Sequence, residues 1–547
     1  MMRARRGASP GVRAERAGCG LVSLAALVLV QACGSPEQGE GPLANVYRVN
    51  PVEDSHLTQV ELRHLRDPQG PLLGDYVNVW NCVADEDGEQ AAVKMGGLTL
   101  SGRLCTPLQK ARPGDDGTFR HIGRPAEDTD GTSSFGEVMM YHHVTTIHDH
   151  YSGYGLTHID KPVKAIVNLQ GYVDAFGKWV GFPNAGYFPM EQTQLIEQLL
   201  GVDLLKGEEA IAFGYNNLSP QIDNVNFSFD AMTIYHEYTH YVIGGNRLVE
   251  AAVDRYGIDA SPLALNEAFA DYFPSSYLNT SKAGGTYTLG HLARDLSQDF
   301  RCPDHLTGES HIDGEVASGA FWALRALLGA DLTDRVLWNA VLTFGKNTSF
   351  EQAGQAILDE VRTLAPRHLA SAEKILTERG VIGCTRLKVH QDYDNNGPMA
   401  SYSPVIEGTQ AAPVQFADGV PGFVQYRVSL ERTTREVTIE YSPVFSAAAG
   451  MGGARGDVSV ALRRGSAPIT YDYGSGKAVS SAQIVLKGDP SDELSYRLVL
   501  SGSCVDGGDL VFQFVSHEPE AGYITKVKVT QRPTAMGPSN FDGCRVP

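Results

Sequence analysis

The chain has 547 residues, of which 42% are hydrophobic, 9% aromatic and 20% charged. This composition is typical of folded globular proteins, and the length suffices for about three domains. The formal net charge of -19 at pH 7 argues against nucleic acid or an anionic membrane surface as a partner, because both are themselves negatively charged.

Residues 1–33 form a predicted export signal rather than part of the fold. Several arginines between Arg3 and Arg16 precede Leu21–Val30, an apolar run that is too short for a comfortable membrane span. The run leads into V-Q-A-C, which ends at Cys33 and resembles a bacterial lipoprotein lipobox. We therefore expect an exported protein, either secreted or lipid-anchored to the cell envelope, with Cys33 as its one link to a membrane.

Residues 34–130 follow as a predicted β-rich N-terminal region, with short extended segments such as Val46–Val49 and Tyr76–Trp80. The next predicted unit spans residues 131–384 and contains two β-branched strands, Pro162–Leu169 and Glu209–Phe213. Apolar residues at a spacing of three to four predict its helices, which cover Gly136–Tyr151, Ala231–Ile243, Leu263–Tyr277, Val316–Leu328, Leu332–Phe344 and Phe350–Leu364.

Residues 385–547 have a different pattern, because apolar and polar residues alternate in short segments separated by turn signals. Regular short strands without helices predict an all-β antiparallel sandwich as an accessory domain. The strands are expected within Phe423–Tyr441, Asp457–Leu462, Ala482–Leu486, Leu494–Leu500, Leu510–Phe514 and Ile524–Val529. The whole chain is thus predicted to be of the α+β class.

Six cysteines remain after the signal, and an even number in an exported chain indicates disulfides. Connectivity does not follow from the sequence alone. Pairing nearest neighbours within the predicted domains gives Cys82–Cys105, Cys302–Cys384 and Cys504–Cys544.

The strongest chemical signal is the H-E-Y-T-H sequence at residues 236–240, which lies in a predicted helix. Positions i and i+4 of a helix lie on the same face, so His236 and His240 can aim two imidazoles at one point. That spacing suits Zn²⁺. Glu237 projects beside the same point, close enough to take a proton from a water bound there.

A third ligand would decide the class of zinc site. A metzincin-type site would need glycine at 243 and histidine at 246, but Ile243 and Asn246 stand there. Downstream, residues 265–272 read L-N-E-A-F-A-D-Y, and the i, i+4 spacing of Glu267 and Asp271 puts both carboxylates on one helix face.

This N-E-x-x-x-D stretch, together with H-E-Y-T-H, resembles the gluzincin endopeptidases of the thermolysin-like and fungalysin-like families, and it is closest to the fungalysin type. The resemblance implies Glu267 as the third zinc ligand and Asp271 as the hydrogen-bond partner of His236. It also implies a zincin fold with a β-rich N-terminal half, a helical C-terminal half and the motif helix at their junction.

Two further segments resemble elements of these families. The S-H-I-D-G-E-V sequence at 310–316 resembles the segment whose histidine donates a hydrogen bond to the developing oxyanion, which implies His311, with His305 as a competitor. The F-P-N-A-G-Y-F sequence at 182–188 resembles an edge strand that binds substrate backbone through Asn184 and Ala185, although a plain turn fits equally. Tyr256 is a candidate second oxyanion donor, out of clear register.

A partial calcium-loop pattern, D-Y-D-N-N-G, occurs at residues 392–397. Ser403 stands at the twelfth position, where such a loop carries a bidentate acid. A Ca²⁺ site and an ordinary turn therefore both stay open.

Together these features predict an exported zinc-dependent endopeptidase that hydrolyses peptide bonds with Glu237 as general base. Its expected partners are protein or peptide substrates, and its oligomeric state stays open. Two alternatives remain. One is a catalytically impaired zincin-fold lipoprotein that binds at the cell surface, and the other is hydrolysis of a different bond, such as an ester.

Overall fold

The protein is of mixed α+β class in a computed structural model, as the sequence predicts. The structure describes residues 41–95, 98–194, 204–217, 224–390, 400–402, 415–445, 456–474, 477–502, 505, 507–517, 523–533 and 541–542. Cys33, the pair Cys504–Cys544 and the partial calcium loop at 392–397 lie outside the described residues. No helix in the described ranges combines the length and apolar character needed to cross a bilayer.

The α-helices with described bounds at both ends lie between residues 135 and 379. They are α1 Phe135–Ser152, α2 Ala231–Ile243, α3 Ser261–Leu278, α4 Ser310–Leu328, α5 Ala330–Val341, α6 Phe350–Leu364 and α7 Leu369–Arg379. Short 3-10 helices cover Thr157–Ile159, Phe227–Phe229, Gly290–Leu292 and Pro366–His368.

Local sequence accounts for where several of these helices begin. Helix α6 starts after Ser349, whose side chain accepts from the Gln352 backbone while the Gln352 side chain accepts from the Ser349 backbone. This capping box satisfies two donors that the first turn leaves free. Helix α4 starts six residues earlier than predicted, because the carboxylate of Glu309 caps it by accepting from the Ile312 backbone.

A mixed β-sheet precedes and interleaves with the first helices. Strands β3, β7 and β10 run parallel at its centre, and β9 forms one edge by pairing antiparallel with β10. The strands of this half are β1 Leu43–Val46, β2 Thr58–Glu61, β3 Val77–Val83, β4 Gln90–Met95, β5 Leu98–Leu104, β6 Thr106–Leu108, β7 Val163–Val173, β8 Lys178–Gly181, β9 Ala185–Phe188 and β10 Ala210–Gly214.

Two short hairpins follow between the helices. They consist of β11 Ala252–Asp254 with β12 Gly257–Asp259, between α2 and α3, and of β13 Lys282–Ala283 with β14 Arg294–Asp295, after α3.

The region after residue 386 contributes two further six-stranded sheets, ordered β15-β18-β26-β20-β23 with β17, and β16-β27-β19-β25-β24 with β28. The rings of Tyr441 in β19 and Phe514 in β26 lie 5.4 Å apart, so the sheets meet in a shared core. Their strands are β15 Leu387–Val389, β16 Ala400–Tyr402, β17 Val420–Pro421, β18 Gln425–Leu430, β19 Glu436–Phe445, β20 Val458–Arg464, β23 Ile484–Leu486, β24 Asp489–Pro490, β25 Tyr496–Ser501, β26 Gly508–Ser516, β27 Tyr523–Arg532 and β28 Phe541–Asp542. A separate two-stranded sheet consists of β21 Tyr471–Asp472 and β22 Val479–Ser480.

Two predicted cysteine pairs are present. Cys82 and Cys105 form a disulfide with Cα atoms 5.2 Å apart, and Cys302 and Cys384 form another with a Cα separation of 5.8 Å. The domain boundaries at residues 130 and 384 stay predictions.

Helix α2 is buried between α1 and α3, which fixes the position of the site. Tyr151 of α1 hydrogen-bonds Thr239 (2.8 Å between hydroxyl oxygens), and His143 of α1 hydrogen-bonds the Tyr235 hydroxyl at 2.8 Å. Polar groups on that side of α2 therefore have partners inside the protein, as burial requires. The side of α2 that carries His236 and His240 faces α3.

Candidate metal centre

Helix α2 brings the two histidines of the H-E-x-x-H sequence together. Asp230 caps the helix by accepting a hydrogen bond from the Met232 backbone at 3.0 Å. Gly244, with φ of 89°, ends it. One helical turn separates His236 and His240, and their Nε2 atoms lie 3.1 Å apart.

Helix α3 supplies the carboxylate that faces these histidines. Oε2 of Glu267 lies 3.2 Å from Nε2 of His236 and 3.6 Å from Nε2 of His240. The three side chains are 8%, 11% and 16% exposed for His236, His240 and Glu267, so the group is largely shielded from water. Among the described residues, these three side chains form the one group whose ligand atoms lie close enough together to hold a metal ion.

The distances among these three atoms match a tetrahedral ion. Ligands bound at about 2.0–2.1 Å with tetrahedral angles lie about 3.3–3.4 Å from one another, and the measured separations are 3.1, 3.2 and 3.6 Å. Oε2 of Glu267 is also buried without a hydrogen-bond partner. A buried acceptor of this kind costs free energy unless a cation or donor occupies the space before it. The residues therefore fit a bound metal ion.

Electrostatics in the triad favour positive charge. Burial lowers the pKa of the His236 imidazole, but the carboxylates of Asp271 and Glu267 outweigh it and raise that pKa to about 10. Burial alone would raise the pKa of Glu267, yet the neighbouring His311 and His240 hold it well below its usual range. The Glu267 carboxylate is thus favoured in its ionised form while largely buried, a position that a cation stabilises.

Each histidine has a partner on its other ring nitrogen. Nδ1 of His236 lies 3.0 Å from Oδ1 of Asp271, and Nδ1 of His240 lies 2.8 Å from Oδ1 of Asn266. A partner at Nδ1 orients the ring and keeps the remaining proton on Nδ1 when a metal ion takes the place of the proton at Nε2. Asn266 precedes Glu267 on α3 and has no role among the sequence-based predictions.

Asp271 is itself held by Arg294, which sequence reasoning missed. The guanidinium of Arg294 donates from Nε and from one terminal nitrogen to the two carboxylate oxygens, both at 2.6 Å. This bidentate pair is the strong geometry for arginine and carboxylate. Arg294 lies on the two-residue strand β14, 23 positions after Asp271, and the sequence around it does not predict that the two residues pair.

His311 stands beside the triad at the start of α4. Its Nε2 lies 3.3 Å from Oε2 of Glu267, and its Nδ1 lies 2.7 Å from Glu309. The Glu267 carboxylate, opposed by burial and aided by Glu309, raises the pKa of His311 to about 9. Gly314 permits this approach, because a Cβ there would lie 3.0 Å from the Ala264 carbonyl oxygen and 3.2 Å from Cβ of Glu267.

The other predicted residues take varied positions. Glu237 follows His236 on α2 and is 8% exposed. Ala185 is the first residue of the edge strand β9, which packs near α2, and Asn184 immediately precedes it. The remaining candidates make their contacts elsewhere: His305 with the backbone of Arg301 (3.0 Å), and Tyr256 with the guanidinium of Arg386.

No protein-family model matches the chain, and no curated protein matches it.

Proposed function

We propose that this chain is an exported zinc-dependent endopeptidase of the gluzincin type. The observation that carries the proposal is the triad of His236, His240 and Glu267, whose ligand atoms lie at tetrahedral separations on two packed helices. Two imidazoles and one carboxylate are a ligand set of catalytic zinc sites, in which a fourth position stays open.

The proposed mechanism assigns a separate task to each neighbouring residue. When bound, the metal supplies a Lewis acid that polarises a carbonyl group and makes water a better nucleophile. Glu237 accepts the proton of the attacking water and delivers it to the leaving amine. Nε2 of His311, steadied through Glu309, donates a hydrogen bond to the oxyanion that forms on the substrate.

Strand β9 is the proposed binding strand for the substrate backbone. It is the edge of its sheet, so its outer side has no neighbouring strand among the described residues. An extended peptide that pairs there would add one more strand beside α2, with Asn184 and Ala185 as its contacts. An extended chain that pairs along β9 would be a peptide rather than a small ester, which supports the proposal of an endopeptidase.

The larger architecture is part of the same proposal. A sheet-rich half before α2 and a helical half after it correspond to a zincin-type catalytic unit, and the two six-stranded sheets that share a core correspond to a β-sandwich. Export, and lipidation at Cys33, rest on the sequence alone.

Cleavage of a peptide library by the full-length protein tests the proposal. We expect internal cleavage by the wild type, loss of at least about a hundredfold in rate with Glu237→Gln, and unchanged metal binding in that variant. A metal-loaded wild type that cuts esters but no peptide would overturn it, as would cleavage that survives Glu237→Gln.

A further inference from the structure

A short segment, residues 384–388, joins the last helix to the C-terminal sheets. It begins at Cys384, which forms a disulfide with Cys302, and continues as strand β15. Two of its residues, Arg386 and Lys388, carry buried cationic side chains, 5% and 9% exposed. Buried cations of this kind require specific partners.

Arg386 binds the β11–β12 hairpin, which leads directly into helix α3. Its guanidinium lies 2.5 Å from the Asp254 carboxylate and 3.1 Å from that of Asp259. Asp259 in turn accepts a hydrogen bond from the Ser261 backbone at 3.0 Å, at the first residue of α3. One side chain therefore links both strands of the hairpin and the start of the helix that carries Glu267.

The backbone of Arg386 belongs to the C-terminal sheets. Its carbonyl accepts from the Gln425 backbone at 3.0 Å, and its guanidinium lies 4.9 Å from the ring of Phe423. Its φ of 55° is one that residues other than glycine rarely adopt. The backbone of Arg386 is therefore held by the C-terminal sheets, while its guanidinium reaches the carboxylates of the hairpin.

Other contacts hold the hairpin against the same region. The Tyr473 hydroxyl donates to the Asp254 carbonyl at 2.6 Å, and the Tyr471 backbone donates to the Arg255 carbonyl at 2.9 Å. Gly257, with φ of 102°, lies so close that a Cβ there would come within 2.8 Å of Pro421. The hairpin is thus docked along its length.

Lys388 binds a second segment, the one that leads into helix α4. Its Nζ donates to the carbonyl of the buried Leu306 at 3.0 Å. Three residues later, Glu309 caps α4 and holds Nδ1 of His311 at 2.7 Å. Residues 386 and 388 thus reach the two segments that precede the helices bearing Glu267 and His311.

We infer that the C-terminal region positions the metal centre, with Arg386 as the positioning residue for Glu267 and Lys388 as that for His311. The inference rests on the proposed function, which makes Glu267 a zinc ligand and His311 the donor to the oxyanion. On this inference the C-terminal region serves to position residues of the metal centre and has no separate binding activity.

The two residues should affect different measurements. Glu267 is a proposed ligand, so Arg386→Met is expected to weaken zinc affinity about tenfold or more, the range seen when ligand-orienting partners are lost. His311 is not a ligand. Lys388→Met is therefore expected to leave zinc affinity within about twofold and to lower kcat for peptide cleavage about tenfold or more, as loss of a positioned oxyanion donor does.

The experiment uses full-length protein and the metal alone. Zinc affinity is measured by chelator competition for wild type, Arg386→Met, Arg386→Lys and Lys388→Met, and the visible spectrum of the Co²⁺-loaded protein reports the ligand geometry. Lys487→Met is the matched control, because Lys487 pairs with Asp457 at 2.7 Å on the exposed surface of the same region. Arg386→Lys keeps the charge and should recover part of the lost affinity.

If Arg386→Met fails to fold, Tyr473→Phe takes its place, since it removes only the bond to the Asp254 carbonyl, and a twofold to threefold weakening is expected. If the wild type binds zinc, and both Arg386→Met and Tyr473→Phe bind it as tightly as Lys487→Met does, this inference alone is overturned. A wild type that binds no metal ion would overturn the proposed function and this inference with it.

Discussion

Asp271 offers the most informative single substitution, because its carboxylate serves two buried partners at once. It is fully buried, accepts two hydrogen bonds of 2.6 Å from Arg294, and lies 3.0 Å from Nδ1 of His236. Asp271→Ala removes the counter-charge of an arginine side chain that is only 12% exposed. It also removes the group that orients the first histidine of the triad.

Two magnitudes follow. Breaking a buried ion pair by removing one partner costs about 3–5 kcal/mol, so the metal-free variant should lose about that much free energy of unfolding. Loss of a partner that orients a metal ligand lowers affinity about 10–100-fold, which corresponds to about 1.4–2.7 kcal/mol of binding free energy. Asp271→Asn keeps the volume and one acceptor oxygen, and an intermediate result is expected.

Denaturant unfolding of the metal-free protein gives the first quantity, and chelator competition gives the second. Lys282→Met is the matched control, because Lys282 pairs with Asp295 at 2.8 Å on the adjacent hairpin while 52% exposed. Because the ammonium group of Lys282 is solvated, that pair is expected to contribute only about 1 kcal/mol. If Asp271→Ala matched this control in both measurements, the account of the Arg294–Asp271–His236 chain would be refuted.

Other predictions concern single residues around the site and the fold. Asn266→Ala removes the acceptor at Nδ1 of His240, so zinc affinity measured by competition should fall about tenfold; equal affinity would show that Asn266 does not set the tautomer. Burial raises the pKa of Asp230 from 3.8 to about 7. Between these two values the folded protein keeps a proton that the unfolded chain has lost. The contribution of Asp230 therefore becomes more destabilising as pH rises from about 4 to 7. Asp230→Asn retains the cap, and its stability relative to wild type should rise across that window by up to about 1.4 kcal/mol per pH unit; a flat or falling difference would contradict this. Ser349→Ala breaks the capping box of α6 and should lower the unfolding free energy by about 1 kcal/mol, whereas Ser297→Ala, outside any helix, serves as its control.

Elements with strong local periodicity were predictable from sequence. The bounds of α2 and α6 match their predicted ranges, since each has an apolar face with a capping residue before it. The i, i+4 spacings on α2 and α3 predicted which side chains share a face. The meeting of Glu267 with both histidines follows once α3 packs against α2.

Residues that reach the site from short or irregular segments were not predictable. Arg294 lies on a two-residue strand, and Glu309 lies in the loop before α4, where no periodic pattern marks its side chain. Arg386 contacts Asp254 of the β11–β12 hairpin, which lies 132 positions earlier in the chain. Such contacts depend on tertiary packing, and a single sequence carries no local signal for them.

The metal content of the purified full-length protein tests the central claim most directly. We expect about one zinc ion per wild-type chain after exposure to a metal mixture and removal of loosely bound ions. Glu267→Ala should lose it, while Glu250→Ala, at a surface ion pair with Lys346, should retain it. A wild type with no bound zinc, or a Glu267→Ala variant that holds zinc as tightly as wild type, would contradict the account.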